Sequence, residues 1–322
     1  MSGPTAAWGE AIARGARLAA EDCKVATLAV EDDGGKPENA ANLAQSFIGN
    51  PDVVALVGAD TSAAALAASP LAETNTIALI SPTASAPIVT RGKRYTFRIC
   101  ATDDLEAQAA ARLAVQRLYL KRVVILRDTR NDYSVGMAAT FSAVLPPVAV
   151  FDYSAGDSDF RAQLTSARGF DPDALFVPGY YGDVAQIAIQ ARDLGIQVPL
   201  LGGSGWDSPK LTEIGGKSLE GSWFVGWIRP AQGSFVDRFR ARNGAEPDAA
   251  SAQGYDAVAI ACAAIERGGS DRKKVRDAVA STTNFPGVSG TISIGPDGNP
   301  RKPLAVFQIK DGKFATQGTV DP

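Results

Sequence analysis

The chain has 322 residues, of which 45% are hydrophobic and 21% are charged. This length exceeds what one hydrophobic core usually serves, so two domains are expected, and the apolar content excludes a disordered chain. A formal net charge of −3 leaves no excess of positive charge for nucleic acid or an anionic membrane surface, so we expect neither as a partner.

The sequence contains no histidine. This excludes Ser-His-Asp and Cys-His catalysis, histidine metal ligation and the most common general base. The chain also lacks a G-x-x-x-x-G-K-[ST] phosphate loop, a G-x-S-x-G nucleophile elbow and a G-x-G-x-x-G dinucleotide fingerprint. We therefore predict that it is not an enzyme and has no cofactor. A hydrolase or lyase that uses Asp or Tyr is the enzymatic alternative.

The three cysteines, Cys23, Cys100 and Cys262, are widely separated and odd in number, and they contain no C-x-x-C pair. This pattern predicts neither a disulfide framework nor a zinc site. It favours small hydrophobic side chains buried in a core.

Short apolar, β-branched runs alternate with longer alanine-rich amphipathic stretches, which is typical of βαβ units and predicts an α/β fold. The predicted strands are 24–30, 53–57, 76–80, 122–126, 149–153, 174–177, 199–201 and 222–225. The predicted helices between them are 38–48, 61–73, 105–118, 136–144, 160–167 and 182–194. The chain then predicts helices at 235–242, 252–267 and 271–281, and strands at 290–294 and 304–309 separated by a turn at 296–300.

Four strand-to-helix turns are rich in Gly, Asp, Ser, Thr, Asn or Tyr, at 32–35, 58–62, 128–133 and 179–182. Ligands of open α/β sheets bind outside the carboxyl ends of the strands, so we expect the functional site at these turns. The turn at 58–62 also opens a helix, whose free amide groups and dipole favour an anion.

Eight stretches follow one another along the chain: SGPTAAWGEAIARGARLA (2–19), VEDDGGKPENAANLAQ (30–45), LVGADTSAAALAASPLAE (56–73), ISPTAS (80–85), YSAGDSDFRAQLT (153–165), GYYGDVAQIAIQARDLG (179–195), GGSGWDSPKL (202–211) and GYDAVAIACAAIERGGS (254–270). Together they resemble the periplasmic solute-binding proteins of type I fold, in the branch that serves branched-chain amino-acid ABC transporters. The resemblance covers nearly the whole chain.

The resemblance implies two doubly wound parallel-sheet lobes joined by three crossover strands, with a small ligand bound in the cleft between them. The N-terminal lobe is expected at 1–102 and 229–301, and the C-terminal lobe at 103–228 and 302–322. The implied function is that of a monomeric periplasmic component that binds an amino acid or related organic acid for an ABC permease. A sensor domain of the same fold that signals to a partner protein is the alternative.

The resemblance also implies roles for individual residues. Ser62 and Ser85 would donate their hydroxyls to the ligand carboxylate, while Trp8 and Tyr180 would cover the ligand from opposite lobes. The alternatives are a helix N-cap at Thr61 or Ser62, and core packing for the two aromatic residues. The full set of expected ligand-binding residues is Trp8, Ser62, Thr83, Ser85, Asp103, Tyr133, Tyr180, Ser204 and Trp227.

Ser204 departs from the resembled pattern, because amino-acid-binding members usually carry Asp or Glu there to pair with the ligand ammonium. A desolvated ammonium without a charged partner is costly. We therefore expect either another acid, with Asp103 and Asp207 as candidates, or a ligand without that amine.

The amino terminus also departs from the pattern. In the resembled family a buried strand precedes the S-G-P turn, whereas Met1 stands directly before it here. The opening residues lack the basic and apolar regions of a signal peptide. We expect a longer natural chain, with the strand and an export signal upstream.

Overall fold

The protein is described here by a computed structural model that covers residues 1–154 and 156–320. Ala155 of the resembling stretch 153–165, and the last two residues of the expected C-terminal lobe, 321–322, lie outside the described residues.

The chain forms two compact units. Unit 1 comprises Met1–Thr102 and Ile228–Lys302, and unit 2 comprises Asp103–Trp227 and the chain from Pro303 onward. The chain therefore passes from one unit to the other three times.

The first part of unit 1 alternates helices with short parallel strands. Its elements are α1 (Ala6–Asp22), α2 (Pro37–Gly49), β1 (Ala55–Val57), α3 (Ser62–Thr74), β2 (Ala78–Ser81) and β3 (Thr96–Arg98). The strands pair in the order β1-β2-β3. The central strand β2 is buried throughout, as expected for a parallel strand covered by helices on both faces.

Unit 2 begins with a helix and continues as a βαβ array. Its elements are α4 (Asp103–Arg112), β4 (Val123–Asp128), α5 (Asp132–Val144), β5 (Ala149–Tyr153), α6 (Arg161–Arg168), β6 (Ala174–Phe176), α7 (Tyr181–Asp193), β7 (Leu200–Gly202), α8 (Pro209–Gly215) and β8 (Trp223–Trp227). One π-helical turn, Leu113–Arg117, extends α4.

The chain returns to unit 1 for three helices and a β-hairpin: α9 (Ser234–Asn243), α10 (Ala249–Gly268), α11 (Arg272–Ala280), β9 (Phe285–Gly287) and β10 (Gly290–Ile292). Apolar residues of α10 and α11 pack against β2 and β3 and form a buried core cluster of this unit. Helix α10 also packs along α1.

The last two strands, β11 (Leu304–Lys310) and β12 (Lys313–Val320), complete the sheet of unit 2. Its strand order is β12-β11-β8-β7-β6-β4-β5. Neighbouring strands in the part β8-β7-β6-β4-β5 pair in parallel, whereas β11 pairs antiparallel with both of its neighbours, β8 and β12. The structure thus confirms the α/β class. No helix within residues 1–154 and 156–320 combines the length and the apolar character needed to cross a membrane.

The predicted strand over 24–30 is wrong. From residue 25 onward the segment alternates between exposed and partly buried residues, as a strand would, but it pairs with no other strand in the described structure. It lines a groove of about 1120 Å³ together with Met1 and β1, and β1 pairs only with β2 in the described part of the chain. A segment becomes a strand only when its backbone forms hydrogen bonds with a neighbouring strand, and a local pattern of apolar residues does not show whether such a neighbour is present. The additional upstream strand stays a prediction.

The interpretation of all three cysteines as plain core residues is also wrong, because Cys23 and Cys262 form a disulfide. Cys23 follows the last residue of α1 and Cys262 lies in α10, and the packing of these two helices brings their Cα atoms to 5.9 Å. The two residues are 239 positions apart in sequence, so their spacing carried no signal. Cys100 is buried, as interpreted.

Candidate functional site

The nine expected site residues divide between the two units. We call Trp8, Ser62, Thr83 and Ser85 the unit 1 edge, and Asp103, Tyr133, Tyr180, Ser204 and Trp227 the unit 2 edge. Most of them follow the carboxyl end of a strand, where parallel sheets place their ligands.

The turn between β1 and α3 supplies Ser62. Thr61 is the N-cap of α3, since its hydroxyl accepts a hydrogen bond from the Ala64 amide at 3.3 Å. Ser62 is buried, and its hydroxyl accepts from the Ala86 amide at 3.1 Å. That bond orients the hydroxyl but uses only a lone pair, so its proton can still be donated to an anion at the helix N-terminus.

The loop after β2 is tied to this turn by two hydroxyl groups. Ser81 donates to the Ala59 carbonyl at 2.8 Å, and Thr83 donates to the Asp60 carbonyl at 2.7 Å. Because its proton is engaged, the Thr83 hydroxyl has only lone pairs to offer a ligand. Both bonds hold the two turns of the unit 1 edge together.

Ser85 is positioned by Arg98, the last residue of β3. Arg98 is fully buried and donates to the carbonyls on either side of Ser85, to Ala84 at 3.0 Å and to Ala86 at 2.7 Å. A third bond runs from Arg98 to the Thr90 hydroxyl at 3.3 Å. The Ser85 hydroxyl has no hydrogen-bond partner among the described residues, so it can donate to a ligand.

Helix α1 joins the unit 1 edge at its first turn. Thr5 donates to Asp60 Oδ2 at 2.8 Å, and Trp8, one turn further on, is 3% exposed. Burial raises the pKa of Asp60 to about 6, the bond from Thr5 opposes this, and the charge of Asp33 adds to it. The burial of Trp8 is compatible with both of its alternatives, core packing and ligand cover.

The unit 2 edge is organised around Tyr133 of α5. Its ring is fully buried, its hydroxyl accepts from the Gly205 amide at 3.0 Å, and it stacks on Tyr180 with ring centroids 5.6 Å apart. A Cβ at Gly203 or Gly205 would lie 2.7 or 3.0 Å from the Tyr133 hydroxyl. The glycines on either side of Ser204 are therefore needed for the tyrosine to approach the backbone.

Asp103 and Trp227 complete this edge. Asp103 is the first residue of α4 and Trp227 is the last residue of β8, and both are buried. The charge of Asp103 contributes to a raised pKa of the Tyr133 hydroxyl, after burial and the charge of Glu106.

Two residues that contact these edges were missed from the sequence, Arg98 in unit 1 and Glu106 in unit 2. Arg98 lies between the predicted strand 76–80 and the predicted helix 105–118, where no element was predicted, so nothing in the local sequence indicated that its side chain is buried. Glu106 lies three positions after Asp103, and residues at this spacing share a helix face, but the predicted helix began two residues after Asp103 and so did not join them.

Two α/β units with polar groups at the carboxyl ends of their strands are suited to bind a small molecule. A family model described as periplasmic binding protein matches residues 1–313, and the chain belongs to this family, in its type I branch of branched-chain amino-acid ABC transporter components. Family membership implies a periplasmic location.

Solved structures and curated relatives agree with this assignment. The leucine-binding protein LivK from Thermotoga maritima is 36% identical, with a TM-score of 0.94 over 100% of this chain and 97% of that one. The LivJ protein from Streptococcus pneumoniae in complex with isoleucine is 30% identical, with a TM-score of 0.93 over the same shares. The Leu/Ile/Val-binding protein homolog 3 from Brucella melitensis is 27% identical over 98% of this chain and 90% of its own length.

Proposed function

We propose that this chain is the monomeric ligand-binding component of an ABC uptake system, that it delivers a small carboxylate-bearing solute to a permease, and that the two units are its two lobes. The named relatives bind leucine, isoleucine or valine, which makes amino acids and related organic acids the first ligands to test. The Cys23–Cys262 disulfide agrees with the oxidising environment of the periplasm.

The observation that carries the proposal is the donor set of the unit 1 edge. Ser62 stands at the first residue of α3 with its hydroxyl oriented by the Ala86 amide. Ser85 stands between two carbonyls held by Arg98. Two hydroxyl donors beside a helix N-terminus are suited to a carboxylate, which accepts several hydrogen bonds and is favoured by the helix dipole.

Titration calorimetry with a panel of L-amino acids and small carboxylates tests the proposal. We expect binding of at least one of them, and a loss of roughly 1.5–3 kcal/mol in binding free energy for each of Ser62→Ala and Ser85→Ala. Ser46→Ala, an exposed position on α2, is the matched control. A protein that binds no member of the panel, or serine variants that bind as the wild type does, would contradict the proposal.

A further inference from the structure

Ser204 is accompanied by a carboxylate that comes from another element. The Ser204 amide donates to Glu106 Oε2 at 3.0 Å, although the two residues are 98 positions apart. Glu106 lies on α4 and Ser204 follows β7, and both belong to unit 2. The position where an acid was expected therefore has a serine, but its backbone holds the carboxylate of Glu106.

This carboxylate is buried without a cation. Glu106 is fully buried, and it forms no ion pair in the part of the chain that the structure describes. Burial raises the pKa of Glu106 well above its usual range and the charge of Asp103 raises it further, while Ser204 and Trp227 act in the opposite direction. A buried carboxylate in such surroundings is costly unless it is protonated or meets a cation.

Two neighbouring polar atoms lack a well-aligned hydrogen bond, although the Ser204 and Trp227 side chains lie close enough to Glu106 to lower its pKa. Glu106 Oε1 and Ser204 Oγ are both buried, and neither makes a hydrogen bond of normal geometry with another described residue. Buried polar atoms in native proteins are almost always satisfied, so two adjacent exceptions point to a group that comes from outside the chain. A primary ammonium has three N–H donors and a positive charge, so it would donate to both atoms and compensate the negative charge of the Glu106 carboxylate.

Resting on the proposed function, we propose that Glu106, supported by Ser204, binds the ammonium group of the ligand, and that the ligand is therefore an amino acid rather than a plain organic acid. In this arrangement the acid that the resembled pattern places at residue 204 is supplied by α4.

The proposal is tested by calorimetry on matched pairs of ligands. L-leucine, L-isoleucine, L-valine, L-alanine and L-phenylalanine are each compared with the acid that lacks the α-amino group, such as 4-methylpentanoate for leucine. We expect the best amino acid to bind at least 10-fold more tightly than its deamino acid. Binding of deamino acids with equal or higher affinity would overturn this inference and leave the proposed function intact, whereas binding of neither series would overturn both.

Variants of Glu106 separate charge from shape. Glu106→Gln keeps the size of the side chain and removes its charge, and we expect it to weaken amino-acid binding by about 10- to 100-fold while leaving deamino acids unaffected. Glu213→Gln, exposed on α8 of the same unit, is the matched control.

A double variant covers the case in which Glu106→Gln fails to fold. Glu106→Gln with Ser204→Asp keeps the total charge and returns the carboxylate to residue 204, so we expect amino-acid binding to recover. Glu106→Gln binding amino acids as tightly as the wild type would overturn the inference. A double variant that folds but does not bind amino acids would also overturn the inference.

Discussion

Asp60 gives the sharpest quantitative prediction for stability. One of its oxygens, Oδ2, accepts from Thr5 at 2.8 Å, while the other, Oδ1, is buried without a partner among the described residues. Burial raises the pKa of Asp60 from 3.8 to about 6, so between these values the folded state binds a proton more tightly than the unfolded state. The contribution of Asp60 to stability is therefore fully present below pH 3.8 and is lost as the pH rises through 6.

The difference between the two pKa values corresponds to about 3 kcal/mol of lost stability at neutral pH. The Oδ1 atom is buried but Asp60 as a whole residue is only half-buried, and solvent screening reduces this difference to about 2 kcal/mol. Asp60→Asn keeps an oxygen that can accept from Thr5 and cannot ionise. We expect the variant to be about 2 kcal/mol more stable than the wild type at pH 7 and nearly equal to it at pH 4.

Urea unfolding followed by circular dichroism at pH 4, 5, 6 and 7 measures this difference. Asp52→Asn, an exposed position before β1 in the same unit, is the control for the loss of one carboxylate. The reasoning would be refuted if Asp60→Asn were less stable than the wild type at pH 7, or if the stability difference were the same at pH 4 and pH 7.

Two further predictions concern the scaffold of unit 1. Arg98→Met removes the bonds to the carbonyls beside Ser85, and we expect a loss of about 3–5 kcal/mol in unfolding free energy, with weaker binding of carboxylates. Urea unfolding and calorimetry measure both effects, with Arg98→Lys as the charge-preserving comparison, and a variant of wild-type stability would show that the arginine is not needed. Opening the Cys23–Cys262 disulfide with dithiothreitol, or by Cys262→Ser, should lower the unfolding free energy by roughly 2–5 kcal/mol. Unfolding curves with and without reductant measure the loss, Cys100→Ser is the control, and identical curves would speak against a structural role for the disulfide.

The order and type of most elements could be predicted from the sequence, because helices and parallel strands differ in the period of their apolar residues. The predicted strand 149–153 coincides with β5, and predicted helix 182–194 differs from α7 by one residue at each end. Strands β3, β9 and β12 and helix α1 were not among the predicted elements. Strands β3 and β9 have three residues each, which are too few to show a period, and they exist because their neighbours pair with them.

At the candidate site, the sequence by itself determined which turns lie at the carboxyl ends of strands and that residue 204 carries no acid. Only the tertiary structure decided that Arg98 holds the loop of Ser85, that Cys23 meets Cys262, and that Glu106 stands beside Ser204. Each of these contacts joins elements that are separate in sequence, and each depends on burial, which is a property of the packed chain. Local sequence encodes periodicity and turn chemistry, whereas the partner and the solvation of a polar group are set when distant elements pack together.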